Sequence, residues 1–142
     1  LLLDAIEALK QEGLVFELVL VEGLSNADAK ELYKTVDVLV DQLFAGWYGG
    51  LAVEAMALAK PVVVYIRDED LKFIPPEMAA ELPFIRATPD NIQLVLRKVL
   101  QMPREQLLEL ARQSRAYVER WHDPVAIAHR IKADIHQSVS TK

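Results

Sequence analysis

Three glycines crowd the segment Gly46-Trp47-Tyr48-Gly49-Gly50-Leu51, which runs into the apolar stretch Ala52-Val53-Glu54-Ala55-Met56-Ala57. Glycine lacks a Cβ, so the backbone there can turn tightly and come close to a bound group, while a helix leaving the loop points its first unpaired N–H groups the same way. That chemistry suits a phosphate or the hydroxyls of a sugar. Glycines between a strand and a helix also make ordinary turns, and residue type alone leaves both readings open. Trp47 and Tyr48 could stack on a sugar or a base, or could pin the loop to the helix; pinning suits Trp47 better.

Other chemistry is poorly represented. His122, His129 and His136 recur every seven residues. Two helical turns separate successive members by roughly 10 Å, too far to share one ion, so the spacing reads as one helix face and implies no metal site. No Ser-His-Asp set and no paired general acid and base stand at a telling spacing, so catalytic residues are not identified. Cysteine is absent, which excludes disulfides and thiolate chemistry.

The chain has 142 residues, 52% of them apolar, which is the size of a single domain spanning residues 1–142. A net charge of −5 and the lack of any Lys/Arg run argue against nucleic acid as a partner. Leu1-Leu2-Leu3 is followed at once by Asp4 and Glu7, fitting neither a signal peptide nor a membrane span. It reads as a helix cut at its beginning, and cytoplasm is the default location.

The elements that must position the glycine segment follow from periodicity. Leu2, Ala5, Ile6 and Leu9 repeat at helical spacing before Gly13. Leu14 to Val21 is almost continuously apolar and β-branched, the pattern of a strand buried on both faces. Ser25 opens a helix burying Leu32, Tyr33 and Val36. Asp37 to Asp41 is a second buried strand, and the glycine loop follows it, at the strand's carboxyl end, where ligands bind in open α/β sheets. A helix from about Gly50 to Ala59 leads to a strand over Pro61 to Ile66. Arg67 to Leu82 is a charged connection whose charges read as solvated, with a helical turn after Pro75-Pro76. Phe84 to Arg86 is a short strand, and Thr88-Pro89 starts a helix to about Gln101. Pro103 starts another, with Leu107, Leu110, Ala111, Ser114, Tyr117, Val118 and Trp121 on one stripe; Asp123-Pro124 breaks it before a last helix carrying Ile127, Ala128, Ile131 and Ile135. Residues 137–142 read as a frayed polar tail. Alternating strands and helices predict a three-layer α/β/α domain with a mainly parallel sheet.

Val38-Leu39-Val40-Asp41, the glycine loop, Leu51 to Ala57 and Lys60-Pro61-Val62-Val63 resemble the C-terminal, nucleotide-sugar-binding half of retaining glycosyltransferases of the GT-B fold, family four, which has two Rossmann-like domains. Glu31 to Asp37 and Ala111 to His122 extend the resemblance more weakly. It implies a donor-binding domain that moves a sugar from a nucleoside diphosphate sugar to an acceptor with retention, no cofactor beyond that donor, and an acceptor domain outside this chain. It also implies a strand before the first helix that the chain lacks, so that exposed strand edges would favour re-pairing or a homo-oligomer.

Within the resemblance, Glu54 matches the carboxylate that holds the nucleotide ribose, a task suited to a group that can accept from both vicinal hydroxyls. Helix-dipole complementarity is the other reading of Glu54. The carboxylate expected to touch the donor sugar falls on Gly46. Asp41 could replace it, the backbone of Gly49 and Gly50 could suffice, or the donor could be handled differently. The implied donor-binding set is thus Asp41, Gly46, Tyr48, Gly49, Gly50, Leu51 and Glu54. Ala59 stands where the family has glycine, and the cost of a left-handed alanine predicts that the helix ends in another way. The rival function is a non-catalytic α/β binding or interaction module.

Overall fold

The computed structural model describes residues 1–140. It is a mixed α/β domain built on a small parallel sheet of three strands in the order β1 (Leu39–Val40), β2 (Val62–Val64) and β3 (Ile85–Arg86). Leu39 pairs with Val62 and Val40 with Val63, and on the other side Val63 pairs with Ile85 and Val64 with Arg86. The three valines of β2 are buried, as a central parallel strand requires.

Successive side chains of β2 point to opposite faces, and two apolar clusters form there. Val62 and Val64 join Ala29, Tyr33, Ala52, Ala55, Met56 and Tyr117, drawn from α2 (Asn26–Tyr33), α3 (Gly50–Ala57) and α6 (Arg104–Trp121). Val63 joins Ala5, Ile6, Leu9, Ile92, Leu96 and Val99, drawn from α1 (Leu2–Gln11) and α5 (Ile92–Leu100). Helices therefore cover both faces; of the expected stripe of α6, Tyr117, Val118 and Trp121 join the first cluster and Leu107 packs on the second. Ala52 and Ala55 let α3 lie close against α6. Ser114, buried there, donates its hydroxyl to the Leu110 carbonyl at 2.7 Å.

Leu14 to Val21 is not the buried strand its composition predicts. Among the described residues it has no ladder partner, and it packs by one face: Leu14, Phe16 and Leu18 lie against the second cluster, while Val15 is 99% exposed. A strand is a property of a pair, so β-propensity without an adjacent strand leaves an extended segment. Among the described residues, no main-chain hydrogen bond ties residues 15–23.

Two further expectations change. The connection after β2 forms a 3-10 helix (Asp68–Phe73) and then α4 (Pro76–Ala80), and several of its charges are paired rather than merely solvated: Arg67 with Asp70, and Asp68 with Arg86. The last helix, α7 (Pro124–Ser140), continues through much of the segment read as a frayed tail, residues 141 and 142 lying outside the described residues. Ile131 and Ile135 on it are more than half exposed. No helix among the described residues is long and apolar enough to cross a membrane.

The end of α3 overturns the expectation for Ala59. Its φ is +56°, and Lys60 N–H donates to Ala55 O while Ala59 N–H donates to Met56 O. That is a Schellman ending, with alanine at the position where glycine is favoured. Arg115 adds a donor to the Ala57 carbonyl at 2.6 Å. The caps and the packing of α3 on α6 hold the strained residue in place. Ala59→Gly removes a left-handed penalty of about 1–2 kcal/mol and adds unfolded-chain entropy of about 0.5–1 kcal/mol. A net gain of about 0.5–1 kcal/mol is expected, read as a higher urea midpoint; an unchanged or lower midpoint would contradict the strain.

Candidate functional site

The loop after β1 is fixed by β2. Beyond the paired residues, Asp41 N–H donates to Val63 O, Tyr65 N–H to Gln42 O and Arg67 N–H to Gly46 O, all at 2.9–3.1 Å. The chain is thus tied to its neighbour up to Gly46, whose φ of +79° is accessible to glycine. At Gly46 a Cβ would meet Arg67 side-chain atoms at 2.6–2.8 Å. The place where the resemblance puts a carboxylate is therefore filled by an arginine stem, and no side chain fits there without displacing it.

Gly49 caps α3, and its N–H donates to Asp41 Oδ2 at 3.2 Å. The first bond of the helix runs from Val53 N–H to Gly49 O. Among the described residues, the N–H groups of Gly50, Leu51 and Ala52 have no main-chain acceptor, as expected at a helix start. Glu54, one turn on, is partly exposed and lies 4.0 Å from Lys30 Nζ of α2. Burial raises the phenol of Tyr33 above its ordinary range, with further contributions from Glu54 and then Asp41. The structure thus brings Asp41, Gly49, Gly50, Leu51 and Glu54 to one place, with Lys30 and Tyr33 beside them. Such a pair of carboxylates next to open N–H groups can accept from hydroxyls and donate to an oxygen.

Compared with known families, known proteins and solved structures, the chain has no match. The site is read from its own geometry.

Tyr48 belongs to a different network. Its ring stacks on Trp47 at 5.3 Å and tilts against Phe84 at 4.8 Å, while its hydroxyl lies 3.2 Å from Tyr117 Oη and 2.9 Å from His122 Nε2. Tyr48 pins the loop to α6, while Trp47 stacks on Tyr48 and lies beside Asp70, Phe73 and Ile74. The ring of Tyr48, included in the donor set from sequence, is engaged within the fold. Burial raises the phenol of Tyr48, and the Tyr117 hydrogen bond partly offsets this. Tyr117 is pushed far above the usual phenol range by burial first and then by Tyr48. A chain in which Tyr117 donates to Tyr48 and Tyr48 donates to neutral His122 satisfies all three groups.

His122 does not share a helix face with His129 and His136. It ends α6, whereas they lie in α7. Asp123-Pro124 resets the helix between them, so the seven-residue interval carries no geometry across the break. Among the described residues, no group of three His, Cys, Asp or Glu could hold a metal ion.

Lys30, Tyr33 and Arg67 are the neighbours of this corner that sequence reasoning missed. Arg67 carried one usable signal, since it directly follows an apolar strand whose carboxyl end must lie beside that of β1 in a parallel sheet.

Burial, and secondarily Arg130, hold the His122 imidazole below its ordinary value. The unfolded chain then binds more protons than the folded one, so the contribution is present above the unfolded value near 6.5 and is lost as pH falls. Urea titrations between about pH 7.5 and pH 5 should show an acid loss of stability that His122→Gln lacks; superimposable pH profiles would contradict the neutral, buried imidazole.

Proposed function

We propose that this domain is the donor-binding half of a glycosyltransferase, with a Rossmann-like arrangement, taking a nucleoside diphosphate sugar. One observation carries the reading: Gly49 and Gly50 start α3 at the carboxyl end of β1, with Asp41 bonded to the Gly49 N–H and Glu54 one turn along the helix. An ordinary turn needs the glycines, and a helix start gains from a carboxylate near its N–H groups; the donor reading adds a use for Asp41 and Glu54 together beside the open N–H groups of Gly50, Leu51 and Ala52. Glu54 is assigned to the ribose hydroxyls, and the N–H groups at the start of α3 to oxygens of the ligand. Asp41 is half spent on Gly49 and keeps lone pairs for a sugar hydroxyl. Sugar transfer itself, the acceptor and the retention of configuration rest on the resemblance in the loop and in Lys60-Pro61-Val62-Val63.

A second reading, a non-catalytic binding module, is favoured by the packing at Gly46. The Arg67 stem leaves no room for the side chain that the transferase pattern would place against the sugar.

Glu54→Ala separates ribose binding from a structural role. Loss of a charge-assisted hydrogen bond should weaken binding of the matching nucleoside diphosphate by about 1.5–3 kcal/mol in calorimetry. Stability should change by less than about 1 kcal/mol, since a long exposed pair with Lys30 is worth little. Unaltered affinity would return Glu54 to ion pairing and the helix dipole.

A further inference from the structure

A second feature of the sheet's carboxyl edge lies outside the glycine loop. Residues 65–69, following β2, and Arg86, Ala87, Thr88 and Asn91, at the end of β3 and the approach to α5, line an open cleft of about 470 Å3. Arg67 and Arg86 both line it. Each guanidinium is held by one acid: Arg67 Nε by Asp70 Oδ2 at 2.8 Å, and Arg86 Nη1 by Asp68 Oδ1 at 2.5 Å. A guanidinium carries five N–H donors, and among the described residues the two Nη atoms of Arg67, together with Nε and Nη2 of Arg86, have no such partner. Both arginines are partly exposed, so these donors are accessible.

We propose that this cleft binds the oxyanion of a small ligand, with Arg67 and Arg86 as the anion-binding residues. The volume suits a small polar molecule rather than a macromolecule. Asp68 and Asp70 orient the guanidinium planes. Glu69, also at the wall, offers a carboxylate to hydroxyls, so the ligand class is one that carries both an oxyanion and hydroxyl groups. Arg67 joins this cleft to the glycine loop, because its stem lies on Gly46 and its N–H on the Gly46 carbonyl. This inference rests on the donor reading for the ligand's identity: the loop would take the hydroxyl-rich part, and the arginines would take the diphosphate or the carboxylate of an acidic sugar.

The test is calorimetry of the full chain with inorganic pyrophosphate, glucuronate, nucleosides and nucleoside diphosphates. Arg86→Gln does not touch the loop, and Arg67→Lys keeps the charge but not the fork, so both variants should fold, checked by thermal melts. Pyrophosphate or glucuronate should bind, and whichever does should lose about tenfold or more in affinity with Arg86→Gln and with Arg67→Lys. Pyrophosphate points to the diphosphate and glucuronate to a carboxylate. Binding of neither, or binding indifferent to both variants, overturns the pocket. Arginine-dependent pyrophosphate binding that gains nothing from an attached nucleoside upholds the pocket and removes the donor reading. Nucleoside diphosphate binding that ignores both arginines does the reverse.

Discussion

The parallel pairing of β1 with β2 continues past the formal ends of the strands, and the arrangement at the sheet's carboxyl edge depends on it. The Tyr65 N–H reaches Gln42 and the Arg67 N–H reaches Gly46, so the loop that would otherwise leave the sheet is held to it for several more residues. Buried main-chain groups must be paired, and these bonds pair them while setting where Gly49 begins α3. The same bonds bring the Arg67 stem onto Gly46, which only a residue without a Cβ permits. One ladder thus positions both the corner at Asp41 and Gly49 and the Arg67 side chain at the wall of the neighbouring cleft.

The loop is held from its other side by aromatic packing. Trp47, Tyr48, Phe84 and Tyr117 form a cluster whose polar tips meet at the Tyr48 hydroxyl. Such a network is favourable only while every member is satisfied, and neutral His122 satisfies it as acceptor. Trp121 extends the cluster: its indole N–H and the Arg120 guanidinium both donate to Glu81, and Arg130 of α7 lies over the ring. A loop already fixed in this way would lose little entropy on taking up a ligand.

Much of this was legible from residue order. The run Val62-Val63-Val64 reads as a doubly covered strand and is one; the stripe from Leu107 to Trp121 reads as one face of a helix and is the less exposed face of α6, with Leu107 on the second cluster and Tyr117, Val118 and Trp121 on the first. The proline at residue 124 marks the break before α7. What failed shares a cause. Leu14 to Val21 has strand composition, yet pairing needs a second strand that composition cannot supply. Ala59 adopts a left-handed conformation because the capping bonds and the packing of α3 on α6 outweigh a local penalty. The histidine period crosses a helix break, where spacing ceases to mean proximity. Arg67 looked like one charge among many in a polar connection; only the parallel register lays it on Gly46. The start of α3 at Gly50 was legible, because strand, glycine loop and helix follow one another in the chain, whereas the bonds from β2 that hold the loop were not.

The central claim is that the glycine loop and the start of α3 hold a nucleotide's hydroxyl-rich part while the ends of β2 and β3 hold its anionic part. Amide chemical-shift mapping during titration with a panel of nucleoside diphosphates tests it directly. For a binding nucleotide, perturbations should concentrate on residues 46–54 and 65–69, with the exposed helix α7 silent. Saturable shifts elsewhere that spare Gly49, Gly50 and Arg67, or no shifts with any member of the panel, would contradict it.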